Sequence, residues 1–248
     1  MMVDTHESSE PAATAPCATA LPETVRRRVY VVLAAYNEAA CIEDVVRGIR
    51  ALYPNVVVVD DGSRDATFDR ALAAGATVLR HVINRGQGAA LQTGISYALA
   101  QAADFIVTFD SDGQHLVEDI ARLVAPLERG DVDITLGSRF LGEAVNISGG
   151  RRLLLKAGTV FTRFVSGVNV TDTHNGLRGF SRRAAESIRI TLDRMAHASE
   201  LIDQVGTSGL PYCEVPVSIH YTDYSQAKGQ GALGAVKILI DYFFGRVT

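Results

Sequence analysis

Residues 105–114 read FIVTFDSDGQ, a short apolar run that leads directly into two carboxylates one residue apart. Such a run predicts a strand buried on both faces, which would deliver Asp110 and Asp112 to a solvent-facing edge of a sheet. Asp-x-Asp pairs also cap helices and bind loop amides, but the position after a buried strand favours a ligand site. Hard divalent cations prefer oxygen ligands, so the stretch predicts a site for Mg2+ or Mn2+, to which Gln114 can add a neutral oxygen.

The chain around this stretch alternates between two kinds of segment. Short β-branched runs predict strands at Val29–Ala34, Val56–Asp60, Ala76–Arg80, Phe105–Phe109 and Asp133–Leu136. Segments of helical period predict helices at Cys41–Leu52, Ala66–Ala74, Gly88–Ala100 and Leu116–Glu128. This alternation is typical of an α/β fold with a mostly parallel, twisted sheet flanked by helices.

Polar residues follow three of the predicted strands, at positions 36–38, 60–63 and 110–114. Ligands of an open α/β sheet bind beyond the carboxyl ends of its strands, so these ends predict one shared pocket. Asp65 fits the cap of the next helix. A turn does not require two successive acidic residues such as Asp60 and Asp61. A carboxylate there could accept hydrogen bonds from a ribose or a base. Residues 84–88 (NRGQG) resemble a glycine-rich phosphate loop but lack its Lys-Ser/Thr ending.

The composition excludes several classes of protein. The chain has 248 residues, of which 47% are hydrophobic and 21% charged, as in an ordinary globular protein. A net charge of −4 provides no broad basic surface, so we expect no nucleic-acid partner. Cys17, Cys41 and Cys213 are too few and too irregularly spaced for a disulfide framework or a metal site. A reducing, cytoplasmic location fits this cysteine usage best.

The ends and the middle of the chain carry segments with a different pattern. Residues 1–28 predict a flexible N-terminal tail. No apolar stretch approaches the roughly 20 residues of a membrane-spanning helix. The basic and apolar segment 151–156 (RRLLLK) and the C-terminal amphipathic helix predicted at 232–248 fit peripheral contact with the inner face of the cell membrane. The alternative is that both pack on the sheet or form a homodimer interface.

Six motifs occur in an order that resembles the family 2 glycosyltransferases. They are AYNE at 35–38, VDDGSRD at 59–65, NRGQG at 84–88, DSDGQ at 110–114, GSR at 137–139 and DTHNGLR at 172–178. The likeness covers about residues 29–230 and is greatest to the polyprenyl-phosphate (dolichyl-phosphate) mannose and glucose synthases. It implies a GT-A fold, an inverting reaction, and a nucleotide-diphosphate sugar used with Mg2+ or Mn2+.

The resemblance also implies a domain organisation and binding residues. The GT-A domain would span residues 29–231, with a donor half at 29–140 and an acceptor half at 141–231. The metal would be held by Asp110, Asp112 and Gln114. The nucleotide sugar would contact Ala35, Tyr36, Glu38, Asp60, Asp61, Asn84, Gly88, Asp110 and Ser111.

Catalytic roles follow from the charge that develops during transfer. Breaking the bond from the anomeric carbon to the diphosphate builds charge on the leaving oxygens, where the Asp112 metal site and cations stabilise it. Arg139 and Arg178 are the candidate cations. Lys228 lies in a segment similar to the family's C-terminal loop over the diphosphate, although Ala227 replaces the family's serine and His220 or Thr222 its arginine.

The acceptor determines whether a general base is needed. A hydroxyl acceptor has to lose its proton to a base, whereas a phosphate acceptor needs none. Glu200 and Asp172 are the two candidates for that base. The acceptor is expected to be a polyprenyl phosphate or a lipid-linked glycan, with a soluble hydroxyl acceptor as the alternative.

Three other functions are alternatives to this one. A sugar nucleotidyltransferase would carry a glycine-rich, basic loop after its first strand, where this chain has residues 34–38 (AAYNE). A dinucleotide-dependent oxidoreductase would have Gly-x-Gly-x-x-Gly there, and it is missing. A non-catalytic module that binds nucleotide sugars stays open, since motifs alone do not prove turnover.

Overall fold

The computed structural model describes residues 21–145, 168–193 and 196–220. Four expectations from the sequence lie outside these residues. They concern the first twenty residues of the tail, the basic segment at 151–156, the loop with Lys228 and the C-terminal helix at 232–248. Within the described ranges, no helix is long and apolar enough to cross a membrane.

The described chain alternates between strands and helices as the sequence predicts. The strands are β1 (Val29–Ala35), β2 (Asn55–Asp60), β3 (Thr77–Arg80), β4 (Phe105–Thr108), β5 (Ile134–Val145), β6 (Arg178–Ser181) and β7 (Tyr212–His220). The helices are α1 (Glu23–Arg26), α2 (Ile42–Arg50), α3 (Thr67–Ala73), α4 (Gln87–Ala100), α5 (Asp119–Glu128), α6 (Arg182–Ser187) and α7 (His197–Ser208).

One seven-stranded sheet runs through the described residues, in the order β3-β2-β1-β4-β6-β5-β7. The first four strands are mutually parallel, and β7 is parallel to β5. Only β6 runs against its neighbours, β4 and β5. The sheet is therefore mostly parallel and confirms the predicted α/β fold.

Apolar residues cover both faces of the sheet. One face packs against α2, α3 and α5, and the other against α4, α6 and α7. Successive residues of one strand serve opposite faces: Val31 and Leu33 face the first set of helices, and Val32 faces the second. Burial on both sides explains why β1 and β2 read as continuous apolar runs instead of alternating ones.

Three boundaries differ from the sequence prediction. Leu21 and Val25 are buried and α1 is helical, so the ordered chain begins before the expected tail boundary at residue 28. The predicted strand at Asp133–Leu136 extends to Val145, because β5 resumes its pairing with β7 beyond an irregularity between Ser138 and Glu143. The expected division at residue 140 thus falls inside a strand of one continuous sheet.

We predict that Gly94→Ala destabilises the fold. A Cβ at Gly94 on α4 would lie 2.3 Å from Val32 Cγ1, so the helix would have to move off the sheet. Overpacking of this kind costs about 1–3 kcal/mol of unfolding free energy, which thermal and denaturant unfolding would measure.

Gly48→Ala on α2 is the matched control, since its Cβ would meet Val117 Cγ2 at an ordinary 3.6 Å. There the higher helix propensity of alanine stabilises by up to about 1 kcal/mol. A Gly94→Ala protein as stable as Gly48→Ala would contradict the close packing of α4 on β1.

Candidate active site

The turns that follow β1 and β2 are joined to each other at the carboxyl edge of the sheet. The Asn37 amide donates to Ser63 Oγ at 2.9 Å, and Asn37 Oδ1 accepts from the Arg64 amide at 2.9 Å. Asp65 accepts from the Thr67 amide at 3.0 Å, but the N-cap of α3 is Ala66, one residue after the predicted cap. Two of the predicted polar strand ends therefore form one connected unit.

A cleft of about 600 Å³ opens beside this unit, lined by Tyr36, residues 62–64 and residues 80–84. Tyr36 is 41% exposed, and Val82 and Ile83 also expose their side chains to solvent. Gly62 has φ +74°, and a Cβ there would lie 2.9 Å from the Asn84 amide nitrogen. Only glycine lets the wall at 80–84 approach so closely. The cleft combines an aromatic ring, apolar side chains and two arginines, Arg64 and Arg80.

The expected single pocket is divided into two. Asp112 lines a second cleft, of about 510 Å³, between α2 and residues 109–117. Neither Asp110 nor Asp112 contributes to the lining of the first cleft. The reason is that the turn after β1 separates the strand end of β2 from that of β4, since β1 lies between them in the sheet.

Asp60 and Asp61 are buried and hold the walls of the first cleft. Asp60 Oδ1 accepts from the Ser63 amide at 3.0 Å, and its Oδ2 lies 3.2 Å from Arg80 Nε. Asp61 accepts from the Arg85 amide at 2.9 Å and from the Gly86 amide at 2.6 Å. Their contact with a ribose or a base stays a prediction.

His81 is a residue of this region that the sequence analysis missed. Its Nδ1 lies 2.7 Å from Asp61 Oδ1 and its Nε2 lies 3.0 Å from Thr93 Oγ1, so it joins the end of β2 to α4. The one available signal was its place three residues before the NRGQG motif.

Asp110 lies at the end of β4 and is held in place by two other elements. His115 Nε2 donates to Asp110 Oδ2 at 2.9 Å, and Gln87 Nε2 donates to Oδ1 at 3.3 Å. Burial raises the pKa of Asp110. The His115 hydrogen bond and the charges of His115, Arg178 and Arg139 together lower it by more than burial raises it, so the net shift of the pKa is downward. Asp110 is therefore ionised at neutral pH.

Asp112 lies close to Asp110 without a comparable set of cations. Burial, followed by the negative charge of Asp110, raises the pKa of Asp112 to about 6. Its Oδ1 accepts from the Gln114 amide at 3.1 Å, and the Gln114 carbonyl in turn accepts from the His220 amide at 2.9 Å. The carboxylate pair is thereby tied to the end of β7.

The donor set at this strand end suits a hard divalent cation. Asp110 and Asp112 provide carboxylate oxygens, the ligands that Mg2+ and Mn2+ prefer. No group of three or more His, Cys, Asp or Glu side chains in the described ranges could hold a metal. A cation here would thus have two protein carboxylates and take its other ligands from a bound diphosphate, which is common for Mg2+.

Arg178 begins β6 and faces the carboxylates from the neighbouring strand. It pairs with Thr108 in the sheet register, which places it beside the end of β4. Its Nη2 donates to the Thr173 carbonyl at 3.1 Å. Burial lowers the pKa of Arg178 to about 10, although Asp110 and Asp172 act in the opposite direction. It remains a cation at neutral pH.

Arg139 and Asp172 form a buried ion pair. Arg139 Nε lies 2.5 Å from Asp172 Oδ2, and the Arg139 amide donates to the same oxygen at 3.1 Å. The two side chains are 7% and 1% exposed. One bond holds the guanidinium of Arg139 and the other its backbone amide, so the carboxylate of Asp172 positions the whole residue.

Glu214 on β7 supports this pair and was also missed in the sequence. Its Oε1 accepts from the Thr171 amide at 2.7 Å, the Thr171 hydroxyl at 2.8 Å and the Asp172 amide at 3.2 Å. No motif marked it, because its role depends on the contact between two segments distant in the chain. His174 was missed as well: its Nδ1 lies 2.8 Å from Thr173 Oγ1, and burial lowers its pKa.

The carboxylate of Glu200 is engaged in hydrogen bonds to the protein itself. It accepts hydrogen bonds from the Thr191 amide at 2.9 Å, the Thr191 hydroxyl and the Leu192 amide at 3.0 Å. The segment it holds packs against the start of α4, where a Cβ at Gly88 would lie 2.1 Å from the Leu192 carbonyl oxygen. Both residues shape the start of α4, and their proposed roles with substrate stay predictions.

The remaining predicted contacts act within the protein framework. The Ala35 carbonyl accepts from the Asp61 amide at 2.8 Å, and Ser111 Oγ donates to the Ala34 carbonyl at 2.9 Å. The Glu38 amide donates to Thr67 Oγ1 at 2.8 Å. Each bond links two strand ends or turns.

The mostly parallel sheet, with carboxylates at the end of β4 and arginines opposite them, has the GT-A fold. The chain matches the model of the family described as Glycosyl transferase family 2 over residues 30–189, and it belongs to that family. It is therefore a glycosyltransferase, which confirms the fold and the enzyme class predicted from the motifs.

Relatives of known activity agree with the predicted branch of the family. The UDP-N-acetylglucosamine–dolichyl-phosphate N-acetylglucosaminyltransferase of Methanococcus voltae is 31% identical over 236 residues, covering 85% of this chain and 92% of the relative. The polyprenol monophosphomannose synthase of Mycolicibacterium smegmatis is 31% identical over 226 residues, covering 85% of each. The resemblance to polyprenyl-phosphate sugar transferases is thereby confirmed.

A solved structure confirms the fold. Glucosyl-3-phosphoglycerate synthase from Mycobacterium tuberculosis, crystallised with Mn2+, UDP-glucose and phosphoglyceric acid, superposes with a TM-score of 0.62. The match covers 89% of this chain and 82% of that one at 23% identity.

We predict that Glu214→Ala lowers kcat by about tenfold or more. The change removes the acceptor of three hydrogen bonds that fix Thr171 and Asp172, and through them Arg139. Hydrogen bonds to a charged group contribute about 1.5–3 kcal/mol each. Glu214→Gln keeps an acceptor oxygen and should retain most of the turnover.

Steady-state kinetics and melting temperatures of both variants test this prediction. Glu186→Ala is the control, since its ion pair with Arg182 is exposed. Wild-type kcat in a folded Glu214→Ala protein would show that Arg139 does not depend on this support.

Proposed function

We propose that this enzyme transfers a hexose from a nucleotide-diphosphate sugar, of the GDP-mannose or UDP-glucose type, to a polyprenyl phosphate. Mg2+ or Mn2+ would be held by Asp110 and Asp112. The observation that carries the choice of acceptor is that both carboxylates predicted as general bases are engaged in hydrogen bonds to the protein itself.

The donor half of the proposal is supported by the first cleft and by relatives. Tyr36 and the exposed apolar pair Val82 and Ile83 give the cleft surfaces on which a base can pack. The Methanococcus relative is named for UDP-N-acetylglucosamine, and the Mycobacterium structure contains UDP-glucose. We infer a nucleoside diphosphate in this cleft, with its phosphates toward Asp110 and Asp112.

The choice of a phosphate as the acceptor follows from the two carboxylates that could act as a general base. Asp172 holds Arg139, and Glu200 holds Thr191 and Leu192. A carboxylate whose oxygens are engaged by the protein is not placed to take the proton of an acceptor hydroxyl, since a general base needs hydrogen-bond reach to that proton. A phosphate acceptor is already ionised and attacks without such a base. The relatives named for dolichyl-phosphate and polyprenol products agree with this choice.

The reaction then consists of one displacement. An oxygen of the acceptor phosphate forms a bond to the anomeric carbon, the bond from that carbon to the donor diphosphate breaks, and the nucleoside diphosphate leaves with the electron pair. When bound, the divalent cation neutralises charge that develops on the leaving oxygens. Arg178 and Arg139 are the protein cations that face this region, and inversion follows from attack opposite the leaving group.

The acceptor also implies where the enzyme acts. A polyprenyl phosphate lies in the bilayer with its phosphate in the headgroup region. We therefore infer a cytoplasmic enzyme in peripheral contact with the inner face of the cell membrane. Segments 151–156 and 232–248, outside the described residues, are the predicted contacts.

The proposal predicts transfer of labelled sugar to polyprenyl phosphate in detergent micelles. Labelled GDP-mannose, UDP-glucose and UDP-N-acetylglucosamine would be tested with Mn2+ or Mg2+ and with EDTA. One donor should label polyprenyl phosphate, but not the parent alcohol polyprenol, and EDTA should stop the reaction. Equal labelling of polyprenol or of a soluble hydroxyl acceptor would overturn the phosphate assignment.

In the same assay, we predict that Asp112→Asn lowers turnover by about a hundredfold or more. Loss of an electrostatic stabiliser of the transition state costs on this order. Asp69→Asn, an exposed carboxylate on α3, is the control and should transfer at the wild-type rate. Near-wild-type transfer by a folded Asp112→Asn protein at saturating Mn2+ would remove Asp112 from the metal site.

A further inference from the structure

The ring of His81 is held between two hydrogen-bond acceptors. Asp61 Oδ1 lies 2.7 Å from its Nδ1, and an ionised carboxylate only accepts. Thr93 Oγ1 lies 3.0 Å from its Nε2, and the single proton of that hydroxyl is already donated to the Ala89 carbonyl at 2.9 Å. Both ring nitrogens of His81 therefore face hydrogen-bond acceptors, an arrangement that two ring N–H donors satisfy.

The charges around the ring agree with an imidazolium. Asp61, at the end of β2, provides the negative charge next to the ring. Its side chain is 3% exposed, and that of His81 is 12% exposed. From β3 comes Arg80, whose charge is paired with Asp60. Arg64 lines the same cleft from the turn after β2. Helix α4 contains no charged residue and contributes Thr93.

Asp61 connects the His81 ring to the wall of the first cleft. Besides the His81 ring, it accepts from the Arg85 and Gly86 amides. Gly86, with φ +106°, is the residue from which α4 starts. His81 therefore joins the end of β2, the turn at 84–86 and the first half of α4. An uncompensated buried Asp61 would be costly, so the imidazolium also stabilises the carboxylate that holds the turn.

We propose that His81 is a positioning residue for nucleotide binding: as an imidazolium that donates to both Asp61 and Thr93, it fixes the turn at 84–86 beside the first cleft. The proposal rests on the proposed function for the identity of the ligand, a nucleoside diphosphate. It assigns no step of bond making or breaking to His81.

The protonation of the ring is tested by NMR of the full chain with 15N-labelled histidine at neutral pH. The chain has six histidines, and His81→Gln identifies the signals of His81 by their loss. We expect both ring nitrogens of His81 to resonate as protonated. A single unprotonated ring nitrogen would overturn the imidazolium, whatever ligand the enzyme binds.

The positioning role is tested by calorimetric binding of UDP and GDP with Mn2+. We expect His81→Ala and Thr93→Val each to raise the Kd of the nucleotide that binds by about tenfold, or about 1.4 kcal/mol. Thr93 does not line the cleft, so its effect has to pass through His81. The double variant should bind no more weakly than His81→Ala alone, because the two changes remove one interaction.

Thr207→Val is the matched control. Thr207 on α7 makes the same kind of bond to a carbonyl four residues earlier, that of Asp203, but lies exposed and away from the cleft. It should bind nucleotide like the wild type. Unchanged Kd in folded His81→Ala, or additive effects of His81→Ala and Thr93→Val, would overturn the positioning role. Failure of the wild type to bind either nucleotide would instead contradict the proposed function, while the NMR result would still decide the state of the ring.

Discussion

A set of opposite charges at the end of β4, buried except for the partly exposed Asp110, is the interaction on which the candidate site depends. Asp110 faces the guanidinium groups of Arg178 and Arg139, and Asp172 binds Arg139 directly. Burying such groups is costly unless each has a partner, and the two carboxylates and two arginines balance one another. Asp112 lies outside this balance, and burial together with the charge of Asp110 raises its pKa to about 6.

The balance depends on one feature of the topology. Strand β6 runs antiparallel between β4 and β5, and its register sets Arg178 opposite Thr108. The residues that lead into β6 then pass directly over Asp110. A Cβ at Gly176 would lie 2.1 Å from Asp110 Oδ1, so only glycine at this position leaves the carboxylate its place. The glycine of the DTHNGLR motif thus has a packing reason that is independent of any ligand.

The sequence predicted the features that short segments encode. The apolar runs of β1, β2 and β4 and the acids behind them are local patterns, and the structure has those strands within two residues of the predicted bounds. β6 could not be recognised, since its four residues RGFS carry neither a β-branched run nor an alternation. His81 and Glu214 were missed for a related reason. His81 acts through partners 12 and 20 residues away, and Glu214 through partners 42 and 43 residues away, contacts that no local pattern predicts.

Asp60, Asp61 and Asp172 use their carboxylates to hold the walls of the candidate site, and their contacts with a ligand stay predictions. Asp60 and Asp61 were predicted to meet the nucleotide, and Asp172 to act as a base or to fix a loop; each accepts hydrogen bonds from neighbouring groups of the protein. This use has an energetic advantage, because a wall fixed before binding spares the ligand the cost of ordering it. Motif residues at a strand end therefore indicate where a site lies more securely than they indicate which atoms contact the substrate.

If the enzyme has the proposed function, the same charge balance constrains how its two anionic substrates can meet. Asp110 and Asp172 offset the charges of Arg178 and Arg139, so these four residues bring no net positive charge to a diphosphate and a phosphate. Like charges repel strongly in a partly buried site, so the anions need cations from elsewhere. A divalent ion on Asp110 and Asp112 would bring two charges with the donor, and Lys228, outside the described residues, is the predicted third. For the proposed reaction, the charges of this site would therefore favour binding of the donor with its metal before the acceptor phosphate approaches.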